Sequence, residues 1–147
     1  MKMYSDDVVI KGYPKEPEPE RERALIVGIE RGGESWPLES SLEELRRLAY
    51  TAGADVVAET TQTLSRPNPA TFVGSGKAEE IRLICDAENI DLVIFDDELT
   101  PTQQSNLERS VSRNVKIIDR TALILDIFAL HAKTKEGKLQ VRLAQNQ

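Results

Sequence analysis

Asp91-Leu92-Val93-Ile94-Phe95-Asp96-Asp97-Glu98-Leu99-Thr100-Pro101-Thr102-Gln103 passes from one regular structure to another within a short stretch. Leu92 to Phe95 is apolar without a break, the pattern of a strand covered on both faces. The acidic residues that follow end it. Thr100 then offers a side-chain cap, Pro101 suits a first helical position that needs no backbone donor, and Gln103 completes a capping box. A doubly covered strand leading into a capped helix is half of a βαβ unit, so the same alternation is expected on either side.

Downstream, Val115-Lys116-Ile117-Ile118 repeats the strand and Asp119 is placed to cap the next helix. That helix carries Leu123, Ile124, Leu125, Ile127, Phe128 and Leu130, apolar nearly all round, which predicts burial. Upstream, Gly74-Ser75-Gly76-Lys77 opens a helix with Ala78, Ile81, Ile84 and Cys85 on one side. Glu79 and Glu80 read as first-turn acids favoured by the helix dipole. Ser65-Arg66-Pro67-Asn68-Pro69 reads as a loop, because its prolines forbid a ladder, and Thr71-Phe72-Val73 as a short extended piece.

Ala54 to Leu64 alternates and is rich in Val and Thr, a strand pattern. Leu38, Leu42, Leu45, Leu48 and Ala52 recur at helical spacing, with Ser41 and Glu44 as a capping box and Gly53 as the stop. Ala24-Leu25-Ile26-Val27-Gly28-Ile29 is the first strand. The predicted fold is α/β: a four-stranded parallel sheet with helices on its faces.

This domain is expected over 24–132. Residues 1–23 read as an arm, with Val8-Val9-Ile10 a short edge strand and Pro14-Lys15-Glu16-Pro17-Glu18-Pro19-Glu20 an extended linker. Residues 133–147 read as the start of a helical subdomain, interrupted within the helix that Leu139-Gln140-Val141-Arg142-Leu143-Ala144 begins.

The chain has 39% hydrophobic and 30% charged residues, which fits a globular domain and not a disordered one. Its net charge is −6, with +3 on residues 131–147 and therefore −9 on the rest. Such a balance does not suit a free-standing binder of the phosphate backbone, which relies on Lys and Arg to displace counterions. One cysteine, Cys85, cannot form an internal disulfide and fits a reducing compartment. No apolar run approaches the roughly 18 residues of a membrane span, and the N-terminus lacks a secretory signal. A cytoplasmic location is the expectation.

Two places carry candidate chemistry. Gly74-Ser75-Gly76-Lys77 invites comparison with a P-loop, G-x-x-x-x-G-K-[ST], but Thr71 stands where the first glycine belongs and Ala78 where the hydroxyl would hold Mg²⁺. A glycine turn opening a helix is the plainer reading, with Lys77 and free backbone donors able to hold one RNA phosphate. The second place is the carboxylates at strand ends: Glu30, then Asp96, Asp97 and Glu98, then Asp119. Ligands of open α/β sheets bind at those ends. A set of Glu30, Asp96 and Glu98 would suit Mg²⁺-dependent phosphoryl transfer or nucleotide sensing, and distantly resembles topoisomerase–primase domains. The plainer reading has Asp119 as a cap and the others solvated. His131 has no second His or nearby Cys for a metal set, so packing or a C-terminal dipole contact is expected. Trp36 reads as either a surface anchor or a lid on the first helix, and Cys85 as a core residue.

Four blocks, in order, carry a family resemblance: Phe72-Val73-Gly74-Ser75-Gly76-Lys77-Ala78-Glu79-Glu80; Val93 through Glu108; Val115 through Ala129; and Glu136-Gly137-Lys138-Leu139-Gln140-Val141-Arg142-Leu143-Ala144. Over about residues 24–147 the chain resembles the N-terminal region of HflX-type GTPases. The resemblance implies a parent that continues into a helical hairpin and a G domain holding GTP and Mg²⁺. It implies no nucleotide or metal site within this stretch. It also implies partnership with the large ribosomal subunit, through rRNA and ribosomal protein, in splitting or rescuing ribosomes, and with the parent's own G domain, which this region helps control. The family often continues with Leu and Tyr after Leu-Ala-Gln, whereas this chain reads Asn146-Gln147. Under this resemblance Arg66, Lys77, Arg120, Lys133, Lys135 and Lys138 are the candidate contacts to the ribosome, with acidic faces turned elsewhere. The alternative for Lys77 and Arg120 is pairing with nearby carboxylates.

Overall fold

A computed structural model describes residues 20–32, 37–111 and 114–132. The arm before residue 20, Trp36, and the tail with Lys133, Lys135, Lys138 and the hairpin start lie outside the described residues. Strands β1 (Glu22–Glu30), β2 (Ala54–Thr63), β3 (Leu92–Phe95) and β4 (Lys116–Asp119) alternate with helices α1 (Leu38–Thr51), α2 (Ser75–Glu88), α3 (Pro101–Ser110) and α4 (120–132). All strand pairs are parallel, in the order β2-β1-β3-β4.

The period-two geometry of the central strands explains their unbroken apolarity. Leu25, Val27 and Ile29 of β1 point to one face and join Val93 and Phe95 under α2 and α3. Ala24 and Ile26 point to the other and join Ile94, Leu42, Leu45 and Leu123 under α1 and α4. Each face is therefore a separate core, and between Ala24 and Ile29 no position of β1 is left for a polar side chain. Gly28 lies where α1 comes closest: a Cβ there would meet Leu38 Cδ1 at 2.9 Å and Leu42 Cδ2 at 3.1 Å. Gly53 (φ 101°) ends α1 in a left-handed conformation, as its position after the last apolar repeat predicts.

The cap on α3 is present in full: Thr100 Oγ1 accepts from Gln103 N (3.1 Å), and Gln103 Oε1 accepts from Thr100 N (2.9 Å). Other local expectations give way to tertiary contacts. Helix α1 starts at Leu38 after Pro37 with no side-chain cap, so Ser41 and Glu44 lie inside it. They serve Arg120 instead, described below. Helix α2 starts at Ser75, which puts Glu79 and Glu80 beyond its first turn, where they pair with Arg82 and Lys77. Phe72 is not extended: its φ is 67°, and it closes an antiparallel bridge with Asn68. Helix α4 is not buried all round. Leu123 is, whereas Leu125, Phe128 and Leu130 are exposed, as is His131.

Candidate functional site

In the order β2-β1-β3-β4, the chain leaves β1 toward β2 and later returns to place β3 on the other side. The crevice at the carboxyl ends of β1 and β3 is thus the switch point where open α/β sheets bind ligands. Here it is bridged. Arg31, just after β1, reaches across to Asp97, just after β3, with Nη2 to Oδ2 at 2.7 Å.

Two of the other strand-end carboxylates, Asp96 and Asp119, are committed as well. Asp96 is nearly buried, its side chain 3% exposed, and accepts from Arg120 Nε at 3.0 Å. The same guanidinium donates through Nη1 to Glu44 (2.8 Å) and through Nη2 to the Ser41 carbonyl (3.0 Å) and Oγ (3.2 Å). Asp119 divides its oxygens: Oδ1 accepts from Ala122 N, capping α4, and Oδ2 from Leu99 N, both at 2.9 Å. Glu30 and Glu98 are exposed. Among the described residues no three His, Cys, Asp or Glu side chains gather into a metal-binding group. The strand-end edge is a set of clamps joining α1, β3, the 96–100 loop and α4.

The segment between β2 and α2 is built differently. Asn68 organises it. Its Oδ1 accepts from Ala70 N (2.7 Å) and Thr71 N (3.3 Å), while its own N–H and carbonyl pair with Phe72. The Asn68 carbonyl also accepts from Gln103 Nε2 (2.8 Å), and Asn106 Nδ2 donates to the Ala70 carbonyl (2.8 Å), so α3 holds the loop from below. Phe72 is 2% exposed and stands edge-on to Phe95, ring centroids 5.6 Å apart. On this fixed loop Arg66 is exposed and makes no ion pair with the described residues.

The glycine turn beyond it is not arranged as a phosphate cradle. The Gly74 N–H donates to Gln62 Oε1 at 2.9 Å. Lys77 is turned in, 14% exposed, with Nζ 3.0 Å from both Glu80 Oε2 and Thr60 Oγ1. Hydrogen bonds from Lys77 and then Thr60 hold the Glu80 carboxyl below the usual range. Of the predicted cations on the described surface, then, Arg66 stands free while Lys77 and Arg120 are paired. The structure does not bring these three into one patch through mutual contacts; it ties Lys77 and Arg120 to separate carboxylates. The bonds of Arg31 to Asp97, Gln62 to Gly74 and Gln103 to Asn68 join residues far apart along the chain and leave no local signal, whereas Asn68 acts within its own turn, on Ala70, Thr71 and Phe72.

Two hollows open at the opposite edge of the sheet. One, about 530 Å³, is lined by Glu20, Arg21, Glu22, Asp91, Asn114 and Lys116. Its charges are mixed and already paired, Lys116 with Glu22 and Arg21 with Asp55. Cys85 lies apart from both edges, buried on α2, and desolvation, followed by the charge of Asp86, pushes its thiol up to about 11. At pH 8 roughly one thiol in a thousand would be ionised, so thiol reagents should modify the native protein orders of magnitude more slowly than the urea-unfolded chain. A folded value raised above the unfolded one also makes stability fall as pH rises from about 9 toward 11, and Cys85→Ala should flatten that part of a pH–stability curve.

Comparison with known proteins matches this geometry. Residues 39–129 fit the family described as GTP-binding GTPase N-terminal. The GTPase HflX of Flavobacterium psychrophilum is 48% identical over 125 residues, 84% of this chain and 30% of that protein. The GTPase HflX of Caldanaerobacter subterraneus subsp. tengcongensis is 49% identical over 126 residues, 86% and 28% respectively. That of Escherichia coli is 47% identical over 104 residues, 71% and 24%. The chain therefore spans less than a third of the length of these relatives. Among solved structures, SsGBP in complex with GDP superposes with a TM-score of 0.60 at 27% identity, covering 86% of this chain and 34% of that one. With a parallel four-stranded α/β sheet, a family match across most of its elements and relatives near one-half identity, the chain belongs to the GTP-binding GTPase N-terminal family, the N-terminal region of HflX-type GTPases.

Proposed function

We propose that this chain is the ribosome-contacting and regulatory domain of an HflX-type GTPase that acts on the large ribosomal subunit in the cytoplasm to split or rescue ribosomes. GTP and Mg²⁺ would be held by a G domain elsewhere in the protein, and this domain would touch rRNA and ribosomal protein while influencing that G domain. The observation that carries the reading is Arg66: an exposed cation on a loop fixed by Asn68, Gln103 and Asn106, free to reach a phosphate without first breaking an ion pair to any described residue. Lys133, Lys135 and Lys138 would add to it from the tail. Lys77 and Arg120 would contribute only by exchanging Glu80 or Asp96 and Glu44 for phosphate, which weakens their candidacy. The phosphoryl-transfer reading of Glu30, Asp96 and Glu98 needs Asp96 available to a metal, and Arg120 occupies it.

The test is co-sedimentation with purified large subunits across a salt series. The domain should pellet at low salt and release as salt rises, and Arg66→Glu should weaken pelleting roughly tenfold and flatten the salt dependence by about one phosphate. Failure of the domain to pellet beside a full-length protein that does would assign the contact to other segments. Unchanged pelleting by Arg66→Glu would remove Arg66 from the interface.

A further inference from the structure

Helix α4 carries two apolar faces, and one of them is uncovered. Leu123 faces the sheet, in the cluster with Leu42, Leu45 and Ile94. On the far side Thr121, Leu125, Phe128 and Ala132 follow at intervals of four, three and four residues, all exposed. Leu125 is 62% and Phe128 68% accessible. That spacing makes a seam for another helix, because alternate steps of three and four return to one side of an α-helix. We propose that the Thr121–Ala132 seam seats a helix of the protein's own polypeptide beyond residue 147, lying along α4 in the full-length molecule. The inference rests on the reading of this chain as the N-terminal part of a longer GTPase.

Two observations select that occupant. The matched region makes up only 28–30% of relatives whose shared family is described as N-terminal. In such a protein most of the polypeptide would follow residue 147. The second observation is size. Even a wholly exposed aromatic offers only roughly 150–250 Å², so a seam with two large side chains falls well short of the ~800 Å² per partner that a stable free association buries. A tethered segment, presented at an effective concentration on the order of millimolar, needs far less contact than a second copy arriving from solution.

The test places a photo-crosslinking amino acid at position 128 of the full-length protein, and separately at 125 in case one replacement disturbs folding. Irradiation should give intramolecular crosslinks from both positions to one helical stretch beyond residue 147, and urea should abolish them. Crosslinks between two copies with a yield that grows with protein concentration, or no protein crosslink at either position, would overturn the inference. The same samples, spun with large subunits, separate it from the functional reading. Pelleting without the intramolecular crosslink defeats only the seam, and the crosslink without pelleting defeats only the ribosome contact.

Discussion

Phe72→Ala is expected to destabilise the domain by about 3–4 kcal/mol. Phe72 is a bulky residue held at φ 67°, a conformation that costs of order 1 kcal/mol or more and persists only where its surroundings over-determine it. The surroundings here are specific. The ring is buried edge-on to Phe95, and the backbone is pinned on both sides by Asn68. Burial of the ring compensates the strained backbone. Phe72→Gly gives the sharper test. Glycine loses the same side chain but adopts positive φ without strain, so it should be no less stable than alanine, reversing the usual order in which Gly costs more than Ala. Urea unfolding of the two variants decides it. Phe72→Gly clearly less stable than Phe72→Ala would mean that the left-handed backbone is not what the loop requires. Either variant should also lower pelleting with ribosomal subunits more than its stability predicts if the fixed loop is what presents Arg66.

Arg120→Ala is expected to cost about 2–3 kcal/mol. The general figure for stranding one member of a buried pair is about 3–5 kcal/mol. Asp96 meets that condition at 3% exposure, while Arg120 itself is 23% exposed, so solvent screening reduces the effect. The substitution also releases Glu44 and Ser41, which tie α1 to α4. Asp96→Asn in the Arg120→Ala background should recover part of the loss by removing the stranded charge, a coupling that a double-mutant cycle measures. Arg120→Lys should not restore wild-type stability. A single ammonium cannot reproduce three nitrogens directed at Asp96, Glu44 and Ser41. An Arg120→Ala protein as stable as wild type would mean that the clamp contributes nothing to stability. Because Arg120 is a clamp, its loss should change stability more than the salt dependence of ribosome pelleting, opposite to Arg66→Glu.

The two arginines separate what a residue's type suggests from what its position permits. As sequence, Arg66, Lys77 and Arg120 are alike: basic residues within reach of loops or helix starts. The alternative of pairing with carboxylates, open at that level, fits Lys77 and Arg120 in the folded chain and not Arg66. Likewise Ser41 and Glu44 have the spacing of a capping box, yet they sit one turn into α1 because Leu38 packs over Gly28 and draws the helix start back to it. The outward seam of α4 shows the converse. Its apolarity is plain in the sequence, but only the packing of Leu123 against the sheet reveals which half remains to be covered.

The sequence by itself determined the strands and helices, the parallel α/β class, the cap on α3, the stop at Gly53 and the family. These depend on periodicity, local capping and contiguous motifs, which act over a few residues and are written in order along the chain. Only the tertiary structure decided the strand order, the two cores, the left-handed Phe72 and the fate of each charge. Those follow from side chains brought together across long separations, such as Arg31 with Asp97 and Arg120 with Glu44. An ion pair in a partly dry environment is chosen by distance and burial, and neither is encoded by the identity of neighbours in sequence.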